Sequence, residues 1–227
     1  MIILVLSCDI NSDIFEPFHH CMEKYWPNHP EVIYWTGTVT NPYYRTITEP
    51  CDLSEWTDGL KRAMDRIDDS QILLMIDDCF IRRPVDTRRI AQISKRLEQN
   101  QQNGGNIALY NFEKSWDVND IYDGTDWKLR PHGSEYEVSI MCGLWDKQKL
   151  RKVIEPTSNP WDVEYNQNNC GFFYYINAGD FIIDWGYRTF KPCNLVRGKW
   201  SPEVVEFFDS EGIQIDYSIR GFISNVT

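Results

Sequence analysis

The sequence predicts an α/β fold in which a mainly parallel central sheet carries helices on both faces. Three short apolar runs indicate the sheet: Ile2–Ser7, Val32–Trp35 and Ile72–Ile76. Strands of a parallel sheet are covered on both faces and therefore read as continuous apolar runs. Segments with helical spacing of apolar residues separate these runs, and such alternation is typical of α/β domains. At 227 residues the chain is long enough for one domain with a sizeable core.

The remaining elements follow from capping residues, turn residues and periodicity. The predicted helices are one capped by Asn11 or Ser12 and ended by Pro27, one capped by Ser54, Thr87–Gln102 after Pro84 and Asp86, Leu144–Ile154, one starting at Pro160, and Pro202–Phe208. The further predicted strands are Tyr44–Thr48, Ile107–Phe112, Glu137–Met141, Phe172–Ile176 and Phe181–Trp185. Asn194–Trp200 is predicted as a loop. Ser115–Ser134 is long, polar and aromatic, and such a stretch is more often functional than idle.

Two adjacent carboxylates end the third apolar run, at Asp77 and Asp78. Adjacent like charges at the end of a buried strand repel each other and lose hydration. A divalent cation removes that cost, because Mg²⁺ and Mn²⁺ take hard oxygen ligands and commonly bind through one or two carboxylates plus phosphates. A strand that simply ends in water is the other interpretation. The position favours a site, since open α/β sheets bind ligands at the carboxyl ends of their strands.

Charge and cysteine content restrict the class of partner. The chain holds 23 Lys and Arg against 34 Asp and Glu, a net charge of −11. General nucleic-acid binders need the opposite balance to displace counterions. Seven cysteines stand singly and form no C-x-x-C pair, which argues against a disulfide framework or a zinc site and for a reducing compartment. No apolar run approaches the length of a membrane span.

Two further segments could carry chemistry. In the loop Arg197–Trp200, Arg197 and Lys199 flank a glycine and could clamp a diphosphate. An ordinary basic turn before a helix explains the same residues. Trp161 stands beside Asp162 and Glu164, so a sugar could stack on the indole while a carboxylate takes a proton from its hydroxyl. The usual acids of a helix start explain them equally well.

Aromatic residues are numerous, with 9 Trp, 12 Tyr and 11 Phe. Five tryptophans lie in or beside polar loops, as in a carbohydrate-binding cleft, although a crowded core can imitate this pattern: Trp116, Trp127, Trp145, Trp161 and Trp200. His19 and His20 could bind a metal, but a solvated helix face explains them better. We assign these histidines no function.

Taken together, the chain resembles a GT-A-type glycosyltransferase, in particular the small bacterial and phage proteins linked to surface-polysaccharide assembly. The segments that carry the resemblance span nearly the whole chain in order: Ile3–Asp9, Phe15–Phe18, Lys24–Pro27, Leu74–Phe80, Leu144–Lys147, Asn159–Glu164 and Gly198–Trp200. The family's acidic metal motif is usually Asp-x-Asp, whereas the two acids are adjacent here. The departure leaves open which acid binds the metal and which the donor.

The resemblance implies a single domain, 1–227, with a nucleotide-sugar-binding half at 1–112 and an acceptor-side half at 113–227. It implies a nucleotide-diphosphate sugar as donor, Mn²⁺ or Mg²⁺ held by Asp77 and Asp78, and a cytoplasmic location in a bacterium or phage-infected cell. The implied nucleotide contacts are Ser7, Cys8, Asp9, Asp77, Arg197 and Lys199. Glu164, with Asp162 in reserve, would be the base of an inverting transfer to a saccharide hydroxyl.

Three other functions fit the same residues. A nucleotidyltransferase would use a similar core and paired carboxylates but release pyrophosphate. A non-catalytic glycan- or nucleotide-binding module would have no need of Glu164. An enzyme that glycosylates hydroxymethylated phage DNA would share the donor chemistry, and a local basic face could serve it despite the net charge: Arg82, Arg83, Arg88, Arg89, Lys95 and Arg96.

Overall fold

The computed structural model describes residues 1–114, 121–122, 127–134, 136–165, 171–176, 181–186 and 194–223. The strands are β1 Ile2–Leu6, β2 Val32–Thr36, β3 Arg45–Thr48, β4 Gln71–Ile76, β5 Ile107–Lys114, β6 Ile121–Tyr122, β7 Trp127–Leu129, β8 Gly143–Asp146, β9 Phe172–Ile176, β10 Leu195–Val196 and β11 Lys199–Trp200. The helices are α1 Phe15–Tyr25, α2 Trp56–Asp65, α3 Thr87–Gln102, α4 Lys147–Ile154, α5 Pro160–Tyr165 and α6 Pro202–Glu211.

Nine strands form one sheet in the order β3-β2-β1-β4-β8-β5-β9-β7-β6, and strands from both predicted halves take part. The pairings set seven of these strands in one direction; only β8 and β7 run the opposite way. Strands β10 and β11 form a separate antiparallel pair. The predicted α/β class with a mainly parallel sheet and a smaller antiparallel element is confirmed.

The sheet separates two apolar layers, because successive residues of a strand point to opposite faces. In β1, Ile3 and Val5 face the layer that holds the apolar sides of α1, α3 and α6. Ile2 and Leu4 face the layer formed with α2, α4 and α5. Helices therefore cover both faces, as predicted.

The prediction around residues 137–154 was wrong in register. Glu137–Met141 is not a strand; the strand here is β8. The helix that was predicted to begin at Leu144 begins at Lys147, the first residue of α4. Strand β8 lies antiparallel between β4 and β5, where Leu144 and Trp145 are buried. A Cβ on Gly143 would come within 2.7 Å of Leu109 Cδ1, so glycine permits this close pairing.

Phe181–Trp185 is also not a strand, although Ile182 and Ile183 are buried. Its carbonyls serve a neighbouring loop instead of the sheet: Ile182 accepts from Asp86 N at 3.0 Å and Asp184 from Arg82 N at 2.8 Å. An apolar run alone does not distinguish these two uses of the backbone.

Helix starts were predicted with mixed success. Asp86 caps α3 by accepting from Arg89 N at 3.0 Å, as predicted. Neither Asn11 nor Ser12 caps α1, because a 3₁₀ turn over Asp9–Ile14 precedes the helix. Ser54 likewise lies in a 3₁₀ turn before α2 and gives no side-chain cap.

Residues 194–200, predicted as a loop, form the β10–β11 hairpin, with Arg197 and Gly198 at its tip at φ of 51° and 75°. Trp200 is fully buried and stacks on Phe80. Its backbone N donates to Gly221 O at 2.9 Å, which fastens the end of the described chain to the hairpin.

Candidate functional site

The two acids lie where the central parallel strands end. Strands β1 and β4 are neighbours, with Leu6 opposite Ile76 in the register. Ser7 and Asp77 follow directly, and Asp77 N continues the pairing by donating to Leu6 O at 3.2 Å. The fold thus brings Ser7, at the end of β1, and Asp77, at the end of β4, together at the carboxyl edge of the sheet.

The Asp77 side chain is buried and bonded within the protein. Ser7 Oγ donates to Asp77 Oδ2 at 2.6 Å, and Asn11 Nδ2 donates to Oδ1 and Oδ2 at 3.0 and 2.9 Å. Burial raises the pKa of Asp77 to about 6, while the Ser7 and Asn11 donors act in the opposite direction. These bonds fix the orientation of the carboxylate.

Asp78 differs from its neighbour in having an unsatisfied oxygen. Among the described residues, its buried Oδ1 has no hydrogen-bond partner. Burial, followed by the Asp77 charge, raises the pKa of Asp78 to about 7. Because an unpaired buried oxygen is costly, this atom is the candidate ligand-binding group at the sheet edge.

Arg220 completes the network from the far end of the chain. Its guanidinium pairs with Asp13, with Nε 2.8 Å from Oδ2, and Nη2 donates to Ile10 O and to Asn11 Oδ1, each at 3.0 Å. Because Arg220 binds Asn11 Oδ1, the Nδ2 group of the same amide is directed at Asp77. Sequence reasoning missed both residues: Asn11 was assigned to helix capping, and Arg220 lies 209 positions from Asn11 with no local motif.

The basic loop predicted to clamp a diphosphate lies at the exposed tip of the β10–β11 hairpin. Arg197 and Lys199 both point to solvent, while Trp200 anchors the hairpin on Phe80. Arg220 is the cation whose charge lowers the pKa of both acids. The roles of Arg197 and Lys199 remain predictions.

Asp9 borders a cleft of about 420 Å³ at the same edge, and Cys8 precedes it in the chain. Cys8 is exposed, and burial of part of its side chain raises the pKa of its thiol. Asp9 holds the loop after β2, accepting from Thr38 N at 2.9 Å, Thr38 Oγ1 at 2.6 Å and Val39 N at 3.0 Å. The cleft is lined by Asp9, Gly37, Thr38, Pro50, Cys51, Asp52 and Glu55.

The predicted acceptor-side acids both accept hydrogen bonds from within the protein. Asp162 accepts from Ser158 Oγ at 2.7 Å and from Asn159 Nδ2 at 2.8 Å, and the Ser158 hydroxyl lowers its pKa. Glu164 Oε1 accepts from Ile140 N at 3.3 Å. Trp161, on the same helix, keeps 55% of its surface exposed. Their catalytic roles stay predictions.

Helix α5 nevertheless starts at the edge that carries the acids. Thr57 N, at the start of α2, donates to Ser158 O at 3.4 Å, and α2 begins at the end of the sheet where β3 finishes. The residues before β8 also lie at this edge, because β8 runs antiparallel to β4 with Gly143 opposite Leu74.

Of the five tryptophans in polar loops, Trp161 alone among those described is exposed. Trp127, Trp145 and Trp200 are buried core residues, so for these three the crowded-core alternative holds. They are large enough to fill gaps between helices and sheet, and this use of an aromatic ring leaves the flanking sequence polar. Trp116 lies outside the described residues.

The donor set fits a hard cation that brings most of its own ligands. No group of three or more His, Cys, Asp or Glu side chains within the described ranges could enclose a metal ion. Asp78 offers a free oxygen, and Asp77 stands beside it. Mg²⁺ in particular commonly uses one or two carboxylates together with water and substrate phosphates.

No protein-family model and no curated protein matches the sequence. In the part of the chain that the structure describes, no helix combines the length and apolar character needed to cross a bilayer.

Two solved structures illustrate the structural likeness. One is the bifunctional IspDF from Campylobacter jejuni, at 9% identity and a TM-score of 0.43 over 79% of this chain; the match spans half of that protein's length. The other is a cytidylyltransferase from Leptospira borgpetersenii serovar Hardjo-bovis, at 9% identity and a TM-score of 0.42, covering 100% of this chain and 98% of that one. Likenesses this distant carry no conclusion about what this chain binds or catalyses.

Proposed function

We propose that this chain is a metal-dependent glycosyltransferase that moves a sugar from a nucleotide-diphosphate donor to a saccharide hydroxyl. The observation that carries the proposal is Asp78 Oδ1, a buried oxygen without a partner among the described residues, beside an Asp77 whose oxygens are already bonded. Its place at the carboxyl end of adjacent parallel strands is where α/β sheets bind ligands.

The two acids would share the binding work unequally. Asp78 would bind Mn²⁺ or Mg²⁺ directly. Asp77, held by Ser7 and Asn11, would add its negative charge beside the ion. The ion, when bound, would neutralise charge on the donor's phosphates. This division addresses the ambiguity that adjacent acids leave in the sequence.

The donor's nucleoside would lie in the cleft that Asp9 borders, beside Ser7 and Cys8. The phosphates would extend towards the acids, with cationic help from Lys199 and Arg197 at the hairpin tip. Developing negative charge on a departing diphosphate is stabilised by such cations in a site partly closed to water.

The acceptor side would be formed by α5. Trp161 would stack on a sugar ring, and Glu164, three residues later on the same helix face, would take the proton of the attacking hydroxyl. For that step Glu164 must use lone pairs other than those facing Ile140 N, or give up that 3.3 Å bond.

One of the other functions is less favoured by the described residues. The basic face suggested for a DNA acceptor is partly engaged within the protein: Arg83 pairs with Asp184, and the Arg82 guanidinium lies 4.5 Å from the ring centroid of Phe207.

A donor screen tests the proposal. Nucleoside diphosphate release would be measured from a panel of sugar nucleotides, with Mn²⁺ or with chelator, for the wild type and Asp78→Asn. Asp68→Asn, an exposed acid before β4, is the matched control. We expect Mn²⁺-dependent release that Asp78→Asn abolishes. Pyrophosphate release from a nucleoside triphosphate and a sugar phosphate would instead identify a nucleotidyltransferase.

A further inference from the structure

Three aromatic side chains lie beside the proposed acceptor position, two of them exposed and Tyr136 half-buried, and we call them the aromatic ridge: Trp161, Tyr165 and Tyr136. Trp161 and Tyr165 keep 55% and 60% of their surface exposed. They stand four residues apart on α5 and therefore on one face. The rings of Tyr165 and Tyr136 are 5.4 Å apart, and their hydroxyls are hydrogen-bonded at 2.9 Å.

Hydrogen bonds hold the backbone at the Tyr136 end of the ridge. Tyr136 has φ of 51°, a left-handed conformation that is unusual for a bulky residue and persists only where its surroundings enforce it. Its carbonyl accepts from Arg130 Nη1 at 2.9 Å and from Tyr175 OH at 3.2 Å. Arg130 is itself buried, with its guanidinium 3.8 Å from the Tyr175 ring centroid.

The helix side is equally fixed. Val163 is buried, and Glu164 accepts a hydrogen bond from the backbone before β8. In the first turn, Asp162 accepts a hydrogen bond from the Ser158 hydroxyl. Aromatic side chains have few rotatable bonds and lose little conformational freedom on binding, which favours a ligand that packs flat against them.

The chemistry of the ridge indicates a neutral saccharide. Segments 131–141 and 156–165 contain no Lys or Arg, while Asp162 and Glu164 flank the rings. An anionic ligand would be repelled there. The aliphatic side chain of α5, Val163, faces the core, so the row is aromatic with polar edges, as suits the C–H face of a sugar ring.

We infer that the aromatic ridge binds a neutral oligosaccharide across at least two sugar residues, so that the acceptor is a chain and not a single sugar. The rise between positions 161 and 165 is about 6 Å. The Tyr136 ring lies 5.4 Å from the Tyr165 ring, so the three rings together offer more aromatic surface than one hexose ring can cover. This inference rests on the proposed function for the acceptor's role, but the binding itself does not require a donor.

The test is calorimetric titration of the full chain with neutral oligosaccharides of one to six residues, in glucose, galactose, mannose and N-acetylglucosamine series. We expect at least one series in which affinity rises from the monosaccharide to the disaccharide or trisaccharide. Trp161→Ala should lower that affinity at every length, by roughly two- to tenfold. Tyr165→Ala should abolish the gain with length.

Tyr136→Asn removes the third ring while keeping a residue that tolerates positive φ, and it should also reduce the gain. Tyr165→Phe removes the hydrogen bond to the Tyr136 hydroxyl but keeps the ring. Binding can therefore be measured on this variant if Tyr165→Ala folds poorly. Tyr43→Ala, an exposed aromatic outside the ridge, should change nothing.

Equal affinity for one sugar and for longer chains, or no saccharide whose binding depends on Trp161, would overturn the inference. The donor screen separates this failure from that of the proposed function. Asp78-dependent nucleotide release that survives in the ridge variants, without any ridge-dependent saccharide binding, refutes the ridge alone. Ridge-dependent binding without nucleotide release from any donor refutes the transferase alone.

Discussion

The Asn11 amide donates to both carboxylate oxygens of Asp77, at 3.0 and 2.9 Å, and its own oxygen accepts from Arg220. The amide therefore links the first loop of the chain, the acid pair and the C-terminal segment. Asp77 is buried, so the energetic value of this bond lies chiefly in what its loss would leave unsatisfied.

Replacing Asn11 should destabilise the protein. In Asn11→Ala, the buried Asp77 loses one of its two side-chain donors, at a cost of about 1–3 kcal/mol in the free energy of unfolding. Asn11→Asp should cost more because it places a second carboxylate against Asp77. Urea denaturation measures both, with the exposed Asn28→Ala as control. Equal stability of Asn11→Ala and the control would contradict the assigned bond.

Arg220→Met should release the C-terminal segment. The substitution leaves the Asp13 carboxylate without its partner and frees the Asn11 oxygen, so we expect a loss of about 2–4 kcal/mol. Limited proteolysis should then cut after Gly212 faster than in the wild type. Arg197→Met, at the exposed hairpin tip, should stay within about 0.5 kcal/mol of the wild type. Unchanged proteolysis in Arg220→Met would show that this segment is held by other contacts.

Stability without metal should fall as the pH rises from about 4 to about 7. Asp78 has its pKa raised to about 7, above the value near 4 of an unfolded aspartate, so the folded state retains the proton longer. The contribution of neutral Asp78 to the free energy of unfolding is complete at low pH and is lost as the pH rises through about 7. Asp78→Asn should gain on the order of 2–4 kcal/mol over the wild type across this interval.

The measurement is chemical denaturation in chelator at several pH values. Asp68→Asn should follow the wild-type profile because its carboxylate is exposed. A difference between Asp78→Asn and the wild type that does not change with pH would mean that Asp78 titrates normally in the folded protein.

Glu164→Gln should separate transfer from donor binding. The amide keeps the size of the side chain and an oxygen for Ile140 N but cannot take a proton, and a positioned base contributes ~10²–10⁴-fold. Single-turnover transfer to an acceptor should fall by that order while donor affinity stays constant. Unchanged transfer would remove Glu164 from the mechanism and leave Asp162→Asn as the next variant.

Lys199→Ala tests the diphosphate contact. A charge-assisted bond to phosphate is worth ~1.5–3 kcal/mol, so affinity for a nucleoside diphosphate should fall more than about tenfold. Affinity for the free nucleoside should hardly change. Titration of both ligands against the same variant gives the comparison, and equal losses would indicate general destabilisation instead of a lost contact.

The sequence by itself determined the α/β class, the central strands and the place of the acid pair. Runs such as Ile72–Ile76 are apolar without interruption because both faces of the strand are covered, and this constraint is local enough to read directly. The Asp86 cap was readable for the same reason, since a cap and its helix are neighbours in sequence.

Only the tertiary structure decided the antiparallel slot of β8, which depends on the strands on either side, and the burial of Trp145 and Trp200. The partners of the acids were decided in the same way. Asn11 has the composition of a helix cap and instead bonds Asp77, while Arg220 reaches the site from the C-terminal segment. Hydrogen bonds between distant segments leave no periodicity in the sequence, because they depend on where the folded backbone brings each side chain.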